Sequence, residues 1–348
     1  MSETAVSDSR ASQQQDSPVA PVPRTLPFWL LALALSFSIT VINQVWVGGL
    51  TIYSLDNAPK RERLHQIILS NRLPDGVQSW SSLGANGVNV RVLTVWTAEG
   101  LHRSTALSLE HSYWIIETGA LFLCCVLLFA LLQLLAGPYF ALGGLLYFGS
   151  VLPLTYLFHY FHPWDKPSLA AWLGSMICAH QRKWLYLAAV LTVGMLIKYD
   201  IVVFPMFVFF AEFRRTGWRK SILIAGALLC MTISIFLLLY WMVPNGFESR
   251  PVIPRLLQNF SMMRQSPFQY PPLLGLGVVW VLAAFGFQAA DDYARAGVLL
   301  SVITMVILLL QMNFIELRAD MPVLALLLPA SVIGVQRLTR FEVVARRP

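Results

Sequence analysis

Charge is scarce in this chain. Asp, Glu, Lys and Arg together make up 12% of its 348 residues and apolar side chains 57%, whereas a soluble globular protein carries about a quarter charged residues. With a mean hydropathy of +0.63, that shortage excludes a water-soluble fold. Cysteine is scarce too: Cys124, Cys125, Cys178 and Cys230 all lie inside apolar segments, without the paired spacing of a disulfide framework or a thiolate metal site. They are expected to pack as small hydrophobes. The first apolar run, 27–50, lacks the small-residue cleavage site of a signal peptide and reads as a retained anchor. Residues 1–26 have too little to bury: their Ser, Gln, Asp and Pro cannot offset chain entropy, and they are expected to form a disordered cytoplasmic tail.

What the chain has in abundance is long apolar runs. Stretches such as 114–136 and 222–243 reach the ~20 residues that cross a ~30 Å hydrocarbon core as a helix. The pattern predicts an all-α, polytopic transmembrane bundle over 27–336, with about ten spans at 27–50, 113–136, 138–157, 167–181, 184–198, 201–213, 221–243, 272–289, 296–312 and 321–336. The formal charge of +7 is not a nucleic-acid signal, because the basic residues sit in short clusters beside apolar runs. Arg182-Lys183, the connection 214–220 and the basic tail 337–348 fall on one side of this topology. The positive-inside rule makes that side cytoplasmic, with both termini on it, and a bacterial plasma membrane is the expected home.

Residues 184–213 admit either one long tilted helix or two short ones meeting near Lys198-Tyr199-Asp200. Pro205 and the cost of charges at mid-membrane favour two. Two polar segments fall outside by this reading, 51–112 and 244–271. A structureless loop as long as the first is improbable, and Leu64, Ile67 and Ile68 recur at helical spacing among charges, as do Val92, Val95, Trp96 and Leu101. Two interfacial helices are therefore expected in the first loop, joined by a turn through Pro74-Asp75-Gly76.

Just beyond the first span stands Asp56, in Tyr53-Ser54-Leu55-Asp56-Asn57. His65 follows in the surface helix, then Arg72-Leu73-Pro74, then Arg91 and Leu101-His102-Arg103 before the second span. His162-Pro163-Trp164-Asp165-Lys166-Pro167 precedes the fourth span, Lys198 follows Gly194-Met195-Leu196-Ile197, and Glu316-Leu317-Arg318 precedes a span with Pro322 and Pro329. In order and spacing this layout resembles the GT-C superfamily of membrane glycosyltransferases, of the lipid A aminoarabinose transferase and protein O-mannosyltransferase type, over about three quarters of the chain.

The resemblance implies transfer of a sugar from a polyprenyl-phosphate donor, among membrane lipids, to an extracytoplasmic glycan, lipid or protein acceptor. It makes Asp56 the catalytic acidic residue and Asp165 a second. It implies donor-phosphate contacts at Lys198, Arg318, His65 and Arg91. Asp56 is followed by Asn57 rather than by a second acid, so a two-carboxylate metal site is not carried over, and a divalent metal is neither required nor excluded.

The chemistry agrees independently. Such a transfer needs a base for the acceptor hydroxyl and positive charge for the phosphate leaving group, both at headgroup level. Each residue also has a plainer reading. Asp56 and Asp165 could cap helices, Lys198 could snorkel to the headgroups, His65 could be an interfacial polar group, and Arg318 could pair with Glu316 or Asp320. A transporter or lipid translocase, or a non-catalytic subunit of a polysaccharide assembly complex, are the rival functions. The first is disfavoured by the lack of internally repeated halves; the second is kept open by the single acid at Asp56.

Overall fold

The computed structural model describes residues 25–48, 58–70, 90–156, 162–242, 252–265, 271–311 and 317–345, and among these it contains helices and no strand. Helix α1 (Thr25–Thr40) runs into a π-helical turn, Val41–Gly48. Two helices of the first polar segment follow, α2 (Ala58–Ser70) and α3 (Val92–Ser104). Then come α4 (Leu109–Ala136), α5 (Pro138–Val151), α6 (Asp165–His180), α7 (Trp184–Ile197), α8 (Phe204–Thr216) and α9 (Trp218–Met242). The series ends with α10 (Val252–Gln265), α11 (Pro271–Phe287), α12 (Asp292–Gln311) and α13 (Met321–Ala345).

Among the described residues, six helices are long and apolar enough to cross a membrane: Leu26–Trp46, Leu109–Ala136, Pro138–Tyr156, Trp218–Met242, Asp292–Leu310 and Arg318–Thr339. Trp184–Ile197 and Leu276–Phe287 are shorter apolar helices. The central one is α13, buried on every face from residue 321 to 332. A helix that is apolar all round needs neighbours all round, and α4, α5, α6, α11 and α12 supply them.

Local signals set the breaks. Ser108 caps α4 by accepting the His111 N–H at 3.2 Å, and Gly137, at φ 82°, ends it and turns the chain directly into Pro138, the first residue of α5. Gly217, at φ 80°, does the same between α8 and α9. Lys198 is extended at φ −161°, ψ 120°, and separates α7 from a 3-10 turn, Tyr199–Val203, that leads into α8 with Pro205 in its first turn. The chain reverses there. Arg182, just before α7, reaches Glu212, near the end of α8, with Nε–Oε1 at 3.0 Å and Nη2–Oε2 at 2.7 Å, which a continuous helix of about 1.5 Å rise per residue would forbid. Residues 184–213 thus form two helices.

The contacts sort the helix ends into two sets. At one end Phe28 meets Tyr139, Arg182 meets Glu212, Arg214 lies 3.7 Å from Asp292, and Arg337 reaches the Phe285 carbonyl. The Arg and Lys of 182–183 and 214–220 belong to this end. At the other end stand Gln44, Tyr156, Asp165, Lys198 and Arg318. Helices α2 and α3 cover this second end. Their apolar residues Ile67, Ile68 and Val95 bury themselves against Trp164 and Ile197 of the bundle. Helical spacing reveals an apolar face without saying what covers it. The turn expected at 74–76 lies outside the described residues.

Small residues let α11 approach α13. A Cβ on Gly286 would run into the Ala330 carbonyl, and one on Gly334 into the Leu282 carbonyl, the close backbone packing that membrane helices build from glycine. Gly286→Ala is therefore expected to lower stability by about 1–3 kcal/mol, read by unfolding in mixed micelles. Gly226→Ala, at a site with open space, should leave stability unchanged or slightly raised; equal stability of the two variants would contradict this packing.

Candidate functional site

Four connections converge at the second end, and each brings a charge. Asp165 stands in the first turn of α6, where the helix dipole favours an acid. Lys198 occupies the break after α7, and its N–H still bonds the Gly194 carbonyl at 2.7 Å. Arg318 lies in the 3-10 turn Leu317–Asp320 that enters α13. Arg91 immediately precedes α3.

Asp165 links two of the cations: its Oδ1 lies 3.1 Å from Lys198 Nζ, and its Oδ2 accepts from Arg318 Nη1 at 3.3 Å. Lys198 Nζ also lies 3.1 Å from Asp200 Oδ2, and Asp200 Oδ1 accepts from Ser168 at 3.2 Å. The Arg91 guanidinium lies over the Trp164 ring, 4.7 Å from its centroid, and 5.9 Å from that of Tyr199. Its Nε has no hydrogen-bond partner among the described residues. Side chains that the sequence separates widely thus form one mixed-charge cluster, largely shielded from solvent. Low effective dielectric strengthens such pairs and makes an uncompensated partner costly.

No family model, curated protein or solved structure matches the chain.

Of the residues singled out by sequence, Asp165, Lys198, Arg318 and Arg91 come together. Asp56 and Glu316 lie outside the described residues. His65 has other work. Its Nδ1 is 2.8 Å from the Tyr113 hydroxyl and its Nε2 3.0 Å from Glu99 Oε2, so both nitrogens are engaged in joining α2 to α3 and α4. Burial pushes the imidazole below its ordinary value, and the hydrogen bond from His65 holds Glu99 below the usual carboxylate range. The Glu99 carboxylate accepts from Nε2–H, and Nδ1 lies within hydrogen-bond distance of the Tyr113 hydroxyl. His65 thus joins α2 to α3 and α4 in a structural clamp. Arg103, which also pairs with Glu99, completes the clamp.

A second network went unnoticed in the sequence. Lys166 Nζ donates to Glu117 Oε2 at 2.7 Å and to Gln44 Oε1 at 2.8 Å, and the Tyr156 hydroxyl donates to the same Gln44 oxygen at 3.0 Å. It ties the end of the first helical run to α4, to the 3-10 turn Leu152–Tyr156 that follows α5, and to α6. The signal was present: Glu117 is the only charged residue in the apolar run 114–136, and an ionisable group inside such a run is by default a candidate for function. A cavity of about 50 Å³ lies between the two networks, lined by Glu117, Tyr156, Lys166, Asp165 and Arg318 on its polar side and by Leu121, Leu152 and Leu169 on its apolar side.

The four cysteines are unpaired, and no group of three or more His, Cys, Asp or Glu among the described residues is placed to hold a metal ion.

Proposed function

We propose that this protein is a membrane glycosyltransferase of the GT-C kind that moves a sugar from a polyprenyl-phosphate donor to an extracytoplasmic acceptor. The observation that carries the reading is the meeting of Lys198 and Arg318 on Asp165 at one end of a membrane-type bundle. Two cations held by one carboxylate, with the Arg91 guanidinium nearby, are a preorganised place for a phosphate. The phosphate would take over the charge-assisted hydrogen bonds now made to Asp165. Asp165 in this reading positions the two cations. Asp56 is the base that takes the proton of the attacking acceptor hydroxyl as the polyprenyl phosphate leaves.

The bundle in this proposal crosses a bacterial inner membrane about ten times, with the shorter apolar helices also embedded. The cluster and the first polar segment face outward, and both termini face the cytoplasm. The basic connection 214–220 belongs inside because Lys and Arg in short loops resist translocation. Cysteine labelling in intact cells is expected to modify Gly84→Cys from outside and to spare Gly217→Cys until the membrane is opened. The reverse pattern would invert the topology and remove the cluster from the outer face. Turnover of a polyprenyl-phosphate sugar by the purified protein tests the activity itself.

A further inference from the structure

We propose that the cavity between Glu117 and Arg318 receives the hydroxylated edge of the donor's sugar, with Glu117 accepting a hydrogen bond from a sugar hydroxyl. The inference rests on the glycosyl-transfer reading and adds a sugar subsite beside the phosphate site. Glu117 is 2% exposed; its Oε2 is taken by Lys166, while its Oε1 has no partner among the described residues. A buried carboxylate oxygen without a protein partner favours a hydrogen-bond donor placed against it, because charge-assisted hydrogen bonds are among the stronger ones. The cavity that Glu117 lines, about 50 Å³, exceeds the roughly 10–15 Å³ that one water needs. It has room for a small cluster of hydroxyl-sized groups.

The charges around the cavity select the ligand. A metal ion or an ammonium group approaching Glu117 would meet Lys166 and Arg318, whose charges balance those of Glu117 and Asp165 on the same walls. An anion would meet Glu117 itself. A neutral O–H group is the donor that such balanced charges favour, and the apolar wall of Leu121, Leu152 and Leu169 suits the C–H face of a sugar ring. Arg318 joins the two sites. In a polyprenyl-phosphate sugar the ring is bonded directly to a phosphate oxygen, so a phosphate held at Arg318 leaves the ring's hydroxyls beside the cavity that Arg318 also lines.

The test compares lipids with and without sugar on the full-length protein in nanodiscs. Binding is measured for decaprenyl phosphate and for its mannosyl, glucosyl and arabinosyl esters. Wild type is expected to prefer at least one glycosylated lipid. Glu117→Gln should weaken that lipid about tenfold, the loss of one good hydrogen bond, and leave decaprenyl phosphate unchanged. Leu121→Phe, which narrows the cavity without touching a charge, should erase the same preference and serves where the Glu117 variant does not fold. A sugar preference retained in both variants, or absent in wild type, would overturn the subsite while leaving the phosphate site standing. Failure of wild type to bind any of the four lipids would overturn the glycosyl-transfer reading, and the subsite with it.

Discussion

Asp56→Asn is expected to lower sugar transfer by about 10²–10⁴-fold while folding, insertion and donor binding persist, the usual range for removal of a positioned general base. Both flanks of 49–57 are held at the end of the bundle that carries the cluster. Gln44 is bonded to Tyr156 and Lys166, and α2 is packed through Ile67 and Ile68 against Trp164. Asn keeps the shape and most of the hydrogen bonding but cannot take the proton. Asp165→Asn is the necessary comparison: it should weaken the hold on Lys198 and Arg318 and so act chiefly on donor binding. Normal turnover by Asp56→Asn would remove Asp56 from the mechanism.

Lys198→Ala is expected to have the second large effect, and on two properties at once. The Lys198 side chain is 7% exposed and lies between Asp165 and Asp200. Its removal takes away the cation between the two carboxylates, while Asp165 keeps Arg318 and Asp200 keeps Ser168, so the fold should lose about 1–3 kcal/mol. Donor affinity should fall by about 2–5 kcal/mol, roughly 30-fold or more, because a charged partner of the phosphate is gone. The double variant Asp200→Asn/Lys198→Met, which keeps Asp165 paired with Arg318, separates the two roles. Replacing both members of a buried pair is often close to neutral for stability, so the fold should recover while donor binding stays weak. Recovery of donor affinity together with stability would give Lys198 a structural role only.

The long apolar helices were largely legible because each is an apolar run that ends at a recognisable stop, whereas α10 lies in a polar segment where no helix is expected. Gly137-Pro138 and Gly217 mark turns, and Pro205 with the charged Lys198-Tyr199-Asp200 marks the reversal between α7 and α8. The site was legible only as scattered letters. Nothing local pairs Arg318 with Asp165, 153 positions away; that contact exists because α6 and α13 pack together and bring their N-terminal ends to the same level. The ligation state of His65 was equally hidden, since its partners Tyr113 and Glu99 sit on two other helices. Glu117 is the opposite case. Its isolation in an apolar run was visible, but the run's length drew attention to spanning and away from the one acid within it. Its meaning appears only when Lys166, 49 positions on, is seen to neutralise one oxygen and leave the other bare.

The most direct measurement is release of polyprenyl phosphate from a radiolabelled polyprenyl-phosphate sugar by the purified protein in nanodiscs, with cell-envelope glycan, lipid and protein fractions offered as acceptors. The predicted result is acceptor-dependent release by wild type, reduced by about 10²–10⁴-fold in Asp56→Asn and limited by weak donor binding in Lys198→Ala. Absence of release from every donor and acceptor, by a wild-type protein that is folded and moves the intact lipid-linked sugar across a sealed bilayer, would contradict a transferase and make it a translocase.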